Sequence, residues 1–303
     1  MASSRSFLSP LVTVGVCVKD SEATIGAAIE SVAKQDFPHD RMELIIVDDG
    51  SEDRTLEVIK SEISVFDLNT QLFSQPWKGI AFSRQVVVEN ARGKYVVWVD
   101  ADEVLSSSFV RKQVEFMEQN PEIGIAVGQE PLQTLSREGA LVVRLETMYI
   151  LAQQFDNTRF KPGTGGSICR IAVIKEVGGF DTGNRAAAED IDLINRIRLT
   201  KWKFSSSPAE YIHRRRKTWR GLWDEYFWWG SGTFYTAHKE NTHFDPTNLP
   251  PVVIVFGLRD AFRIYRALRL NAAFLLPFQY FFKRLAWCLG YFKSSIGSPT
   301  QKG

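Results

Sequence analysis

Tyr95-Val96-Val97-Trp98-Val99-Asp100-Ala101-Asp102 decides how this chain folds. Five apolar residues in a row predict a buried strand, and two carboxylates one residue apart follow where a loop should begin. While the chain stays extended, a side-chain period of two turns Asp100 and Asp102 to the same side. A hard divalent cation bound to phosphate oxygens needs only one or two such carboxylates from the protein. The pair therefore marks a candidate site for Mn2+ or Mg2+ with a diphosphate, against the plainer reading that both residues cap a loop.

Upstream, Leu11 to Val18 and Met42 to Val47 predict two further strands, and a third is expected near Leu72. Between them, Ala23 to Gln35 carries Ile25, Ala28, Ile29 and Val32 on one helical face. A second helix runs to Lys60 behind a cap at Ser51 or Asp53, and Ile80 to Ala91 reads as a third. Strands alternating with helices in this way predict an α/β fold with a Rossmann-like, mostly parallel central sheet flanked by helices. Such sheets bind ligands beyond the carboxyl ends of their strands. Lys19-Asp20, Asp48-Asp49 and Asp100-Ala101-Asp102 all fall at such ends, so one crevice is expected to collect them.

With 303 residues, 44% hydrophobic and 24% charged, the chain can bury the core of one large α/β domain plus an appendage. Cys17, Cys169 and Cys288 are far apart and odd in number, which excludes a disulfide framework and zinc-ligand spacing. Met1 to Pro10 lacks the apolar core of a signal peptide, so the catalytic part is expected in the cytoplasm. The net charge of +2 hides an asymmetry. Residues 1–200 hold 21 Lys and Arg against 29 Asp and Glu, a balance of −8, whereas the remainder holds 16 against 6, a balance of +10. A basic C-terminal third calls for an anionic partner, and its apolar content favours a membrane over nucleic acid.

Further motifs line up along the chain. Val12-Thr13-Val14-Gly15-Val16 with Glu22, Val47-Asp48-Asp49-Gly50-Ser51 through Thr55, Lys78-Gly79-Ile80-Ala81 with Arg84, and the Asp-x-Asp pair occur in an order and spacing that resembles family 2 glycosyltransferases of the GT-A fold. Gly178-Gly179-Phe180-Asp181 and Glu189-Asp190-Ile191-Asp192-Leu193 look like that family's GGFDE and EDxDL signatures. The similarity spans about residues 11 to 235. It implies that Asp20 and Glu22 border the nucleobase and ribose, that Asp49 contacts the base, and that Lys78 and Arg84 approach the diphosphate. Where the family usually carries Pro-x-Tyr-Asn after the first strand, this chain has Cys17-Val18-Lys19-Asp20, which leaves the nucleotide open between GDP-mannose and a UDP-hexose.

The resemblance also implies an inverting mechanism. A metal held by Asp100 and Asp102 would accept the charge developing on the leaving diphosphate. Asp190 would be the general base that deprotonates the acceptor hydroxyl, with Glu189 beside it in the substrate site, so that a β-linkage forms. A plain N-terminal helix cap is the alternative for both acids. Gly165 and Gly166, in the stretch Gly163 to Ser167 before an expected strand at Ile168 to Ile174, would let backbone approach the donor sugar. His213, after the strand-like Glu210-Tyr211-Ile212, occupies the place where some relatives complete the metal shell, against a structural role.

The C-terminal third carries Arg214-Arg215-Arg216-Lys217 into Trp219-Arg220-Gly221-Leu222-Trp223, a basic and aromatic pairing suited to a membrane interface. Where processive relatives have QxxRW, this chain has Arg216-Lys217-Thr218-Trp219-Arg220, which makes Arg216 and Trp219 candidates for substrate contact without implying processivity. Beyond Pro250, Arg259, Arg263, Arg266 and Arg269 recur at helical spacing. Ala272 to Phe292 is long enough to span or dip into a bilayer, with Lys283-Arg284 interrupting it and Pro277 expected to kink it.

The expected organisation is a GT-A catalytic domain over 1–210, basic and aromatic interface helices over 211–245, and a membrane-associated helical hairpin over 246–303. The expected partners are a nucleotide-sugar donor, a lipid-linked saccharide acceptor and a membrane, with no nucleic acid. Two rival readings compete. Asp100-Ala101-Asp102-Glu103-Val104 also fits the DxDx(T/V) pattern of haloacid-dehalogenase-type phosphatases, although about a hundred residues of α/β pattern precede it. A non-catalytic protein that binds nucleotide sugar at a membrane surface is the other, but binding alone needs no base at Asp190.

Overall fold

The computed structural model describes residues 10–131, 139–154, 162–242 and 244–297. The chain forms two compact units. The first comprises Met1–Pro131, Pro162–Arg185 and Asp190–Arg214; the second comprises Leu132–Lys161, Ala186–Glu189 and Arg215–Gly303.

The first unit opens with β1 (Val12–Val18), α1 (Ile25–Ala33), β2 (Met42–Asp49), α2 (Thr55–Val65), β3 (Asn69–Gln75), α3 (Ile80–Asn90) and β4 (Tyr95–Trp98). These strands pair in parallel in the order β3-β2-β1-β4. The side-chain period of two sorts their residues between two cores. Val12, Val14, Val16, Leu44, Ile46, Tyr95 and Val97 pack with Ile25, Ile29 and Val32 of α1. Ile45, Val47, Val96 and Trp98 pack on the opposite side with Ala81, Val87 and Val88 of α3. Every residue of β2 is buried, as a parallel strand covered on both faces requires.

The expectation of a mostly parallel sheet holds for this half; the sheet as a whole is mixed. It continues through β5 (Glu103–Leu105), α4 (Phe109–Gln119), β6 (Ile123–Gln129), β7 (Ser167–Arg170), α6 (Ile171–Glu176), α7 (Glu189–Arg198) and β8 (Lys203–His213). The eight strands lie in the order β3-β2-β1-β4-β7-β6-β8-β5. β7 runs antiparallel to both β4 and β6, β5 runs antiparallel to β8, and β6 and β8 are parallel. Residues 132–161, between β6 and β7, belong to the other unit, so no crossover helix forces β7 to run parallel. The strand expected at Ile168 to Ile174 stops at Arg170 and gives way to α6, whose Ile171, Val173 and Ile174 are buried. A short apolar run fits either state, and here burial on both elements, not periodicity, accounts for its composition.

The second unit contains α5 (Leu141–Gln154), α8 (Trp219–Lys239), α9 (Pro250–Leu268) and α10 (Leu276–Gly297). Leu145, Met148 and Leu151 of α5 join Val253, Ala261 and Ile264 of α9 and Leu276 and Tyr280 of α10 in its core. α8 and α10 cross with almost no space between backbones. A Cβ on Gly230 would collide with the Trp287 carbonyl, and one on Gly290 with the Phe227 carbonyl. Pro277 makes no kink, because it sits at the second position of α10, where its missing N–H has no intrahelical acceptor to lose. Arg269 ends α9 in a left-handed conformation (φ 55°), so the helical arginine row is Arg259, Arg263 and Arg266. Among the described residues, no helix is long and apolar enough to cross a membrane.

Candidate active site

The loops after β1 and β2 are stapled to each other by polar contacts. Asp20, at φ 47°, donates its amide to Ser51 Oγ and accepts the Glu52 amide at 2.7 Å. That backbone donor, helped by Lys19 at 3.0 Å, holds its carboxyl below the ordinary range. Glu22 accepts the Arg54 amide and side chain at 3.1 and 3.3 Å, and its own amide donates to Asp53. Asp20 and Glu22 thus tie the loop after β1 to the loop after β2.

Asp49, at the end of β2, is buried, and its carboxylate accepts from three donors. Oδ1 takes the Lys78 amide at 2.9 Å and the Gln75 side chain at 3.0 Å, and Oδ2 takes the Gly79 amide at 2.8 Å. It fixes the loop that leads into α3. Lys78 is exposed, with its ammonium 4.2 Å from the centre of the Phe82 ring.

Arg84 is anchored on α3 with its side chain 5% exposed, and its guanidinium donates to Asp100 Oδ1 at 3.1 Å. β4 ends at Trp98, and the chain then turns: the Glu103 amide donates to the Asp100 carbonyl at 2.9 Å. Asp100 and Asp102 are therefore set by a turn, not by the extended backbone expected for them. Asp102 lies 3.4 Å from His213 Nε2, and its carbonyl accepts the Arg214 amide at 2.7 Å. The β5–β8 pairing, with Glu103 opposite His213, makes that meeting.

Glu103 is the residue that sequence reasoning missed. Its Oε2 accepts the Asp100 amide and the Gly166 amide, each at 2.9 Å, so one buried carboxylate ties the acidic turn to the glycine loop. Burial, then the neighbouring charge of Asp100, pushes its carboxyl well above the usual range. The signal was present in its spacing, three residues after Asp100, which an i to i+3 turn brings back onto the start of the turn. Gly165 touches the same cluster: a Cβ there would come within 2.7 Å of Glu103 Oε1 and 2.8 Å of Asp100 Oδ2. Gly166 needs its left-handed φ of 58° and has the Tyr211 ring where a side chain would go.

Asp190 opens α7 in the first unit. Its Oδ1 accepts the Ile191 amide at 2.8 Å, and Gly163 passes close to Oδ2. Burial raises its carboxyl, Arg84 opposes that rise, and the charge of Asp100 reinforces it, so these three residues share one electrostatic field. Asp192, the other acid of the motif, is committed to structure through Arg196 at 2.6 and 3.0 Å. The paired glycines of Gly178-Gly179-Phe180-Asp181 have a structural task too, since their turn sets Phe180 edge-on to Trp98 at 5.6 Å.

The remaining candidates belong to the second unit. Glu189 is buried at the start of α7. Arg216 reaches Glu225 at 3.4 Å, and Trp219 packs edge-on to Phe278 and Phe282 of α10. Among the described residues, no three His, Cys, Asp or Glu side chains converge closely enough to hold a metal ion by themselves. The carboxylates of Asp100 and Asp102 are nonetheless hard donors that suit Mn2+ or Mg2+ when phosphate oxygens and water supply the other positions, with the imidazole of His213 a borderline donor beside them. The side-chain-free face of Gly165 leaves Asp100 Oδ2 accessible to such a group.

The chain is similar to known proteins in sequence and in fold. The family model described as "Glycosyl transferase family 2" matches residues 13–176. An uncharacterized glycosyltransferase of Haemophilus influenzae is 33% identical over 112 residues, 37% of this chain and 44% of that protein, so the aligned part spans less than half the relative's length. The probable glycosyltransferase YdaM of Bacillus subtilis is 24% identical over 308 aligned residues, covering 93% of this chain and 72% of that protein. Among solved structures, the mannosyltransferase PcManGT from Pyrobaculum calidifontis, in complex with GDP-Man and Mn2+, superposes with a TM-score of 0.66 at 17% identity, covering 96% of this chain and 89% of that one. That likeness is one of fold.

Proposed function

The chain belongs to glycosyl transferase family 2, and on that premise we propose that it is an inverting, metal-dependent hexosyltransferase. It moves a hexose from GDP-mannose or a UDP-hexose to a lipid-linked saccharide at a membrane and forms a β-linkage. The observation that carries this reading is the convergence of Arg84, Asp100 and Asp190 around the Gly163 to Gly166 loop, a cation and a metal-ligand acid beside a carboxylate whose proton affinity burial has raised. Membership in this family displaces the phosphatase reading of Asp100 to Val104.

Arg84 balances the charge of Asp100 and, with Lys78, offers positive charge to the donor diphosphate. Mn2+ or Mg2+ at Asp100 and Asp102, with His213 beside them, would supply Lewis-acid stabilisation of the departing diphosphate. Asp190 takes the proton from the acceptor hydroxyl; a carboxylate raised by burial is a better base than an exposed one. Glu103 keeps the acidic turn and the glycine loop in register while the donor is bound.

A catalytic domain facing the cytoplasm from a membrane surface completes the reading. Val255, Phe262 and Phe278 are more than half exposed on α9 and α10, in the company of Arg259, Arg263 and Arg266. An apolar surface set with guanidinium groups suits an anionic lipid interface better than water. The test is release of nucleotide from GDP-mannose and from UDP-hexoses with Mn2+ and a lipid-linked acceptor. Turnover with one donor, lost in Asp190→Asn while nucleotide binding persists, supports the reading; metal-independent turnover, or an Asp190→Asn variant as active as the wild type, overturns it.

A further inference from the structure

The second unit encloses a cavity of about 410 Å³ that the strand-end chemistry does not use. Its inner wall is made of tyrosines gathered around one ammonium group. Lys283, 3% exposed, places Nζ 3.2 Å from the centre of the Tyr149 ring and 4.7 Å from that of Tyr226. Glu146 neutralises it at 2.7 Å and also accepts the Gln279 amide. The outer wall carries Asp245, Asn248 and Arg284. Asp245 is held in its turn by the hydroxyl and amide of Thr247, and the charge of Arg284 helps to lower its carboxyl.

Lys283 is paired with Glu146, and Arg284 and Asp245, one of each sign, both line the cavity, so its formal charges sum to zero. An anion entering would find no net attraction and would have to displace a carboxylate. What the walls do offer is aromatic surface from Tyr149, Tyr226, Tyr280 and Phe256 beside the polar side chains of Gln153 and Asn248. A ligand that suits this has one apolar face and a rim of hydroxyls, each able to donate and accept at once. We propose that the cavity is a saccharide-binding site for a neutral pyranoside. Its volume lies within the ~300–1,000 Å³ of ordinary small-molecule sites. Its walls are pre-set: the Tyr280 hydroxyl donates to Asp260 and accepts from Gln153 at 3.2 Å, so the ring is locked before any ligand arrives. Identifying the bound glycan as part of the acceptor rests on the glycosyltransferase reading; the binding site itself does not.

The experiment titrates the intact protein with a panel of methyl pyranosides and neutral disaccharides by ligand-observed NMR, with inorganic phosphate as the anionic probe. Saturable pyranoside binding is expected, weakened at least tenfold in both Asn248→Ala and Arg284→Gln, with thermal unfolding confirming that each variant is folded and with phosphate unable to compete. Absence of saturable binding across the panel, equal binding by both variants, or displacement by phosphate overturns the proposal. Acceptor-dependent nucleotide release by the wild-type protein separates the two readings. Release without pyranoside binding removes this inference alone, and pyranoside binding without release removes the transfer reading alone.

Discussion

At the scale of single residues, the site depends on carboxylates given different tasks by their surroundings. Asp49 and Asp192 are consumed by backbone and arginine donors, Glu103 is a buried tie, and Asp190, whose carboxyl burial raises, is the base of the proposed reaction. Asp190→Asn should lower the transfer rate by roughly 10²–10⁴ with nucleotide affinity nearly unchanged, as removal of a general base does; rates and affinities measured on one preparation check this. The pH profile follows from the same group. Burial raises its carboxyl, and only the ionised form accepts a proton, so the rate should fall as pH drops through a limb lying above the usual ~3.9 of an aspartate. Arg84→Gln, which removes the opposing cation, should move that limb higher still. Gly165→Ala should weaken metal-dependent nucleotide binding by about tenfold or more, because its methyl would press on Asp100 and Glu103 together; calorimetric titration with Mn2+ and GDP or UDP would show it. That Asp100 and Asp102 follow a buried strand and that Asp190 lies in the first turn of a helix was legible from the apolar run and the helical face that flank them. Glu103 was not, since a carboxylate in the same short run reads as one more acid until a turn folds it back.

At the scale of elements, β1, β2 and β4 were legible from their apolar runs, β3 only from the polar-to-apolar stretch near Leu72, and the helices between them from their periodicity. β7 and α6 were not, because Ile168 to Ile174 is apolar apart from Arg170 and only its burial in two elements accounts for that. Lys283 misleads in the opposite direction: as sequence it interrupts an apolar helix, but in the structure it is a core residue joining α10 to α5 through Glu146. Burial lowers its pKa to about 8 from 10.5, so the folded state binds fewer protons than the unfolded chain between those values. The resulting cost is fully present below about 8 and is relieved as pH rises toward 10.5, a change of at most about 3 kcal/mol. The unfolding free energy of the wild type should therefore gain on that of Lys283→Met as pH rises through this window. Parallel curves in denaturant titrations at successive pH values would show that the ammonium is not buried as described.

At the scale of the whole molecule, the first two hundred residues are acidic and the remainder basic; in the proposed reading the former serve metal chemistry and the latter an anionic surface. Each arginine near a charged bilayer contributes about 1 kcal/mol, so replacing Arg259, Arg263 and Arg266 together by glutamine should weaken binding to anionic vesicles roughly a hundredfold. Sedimentation with vesicles should show this loss, and neutral vesicles should show little binding by either protein. The ends of the sheet have a consequence of their own. One outer strand, β5, is three residues long, and the other, β3, is rich in Asn, Thr, Gln and Ser and runs directly into Pro76. Neither offers the long apolar template on which a second chain could add strands, and so the sheet protects itself from fibril growth by the brevity of one border and the polarity of the other.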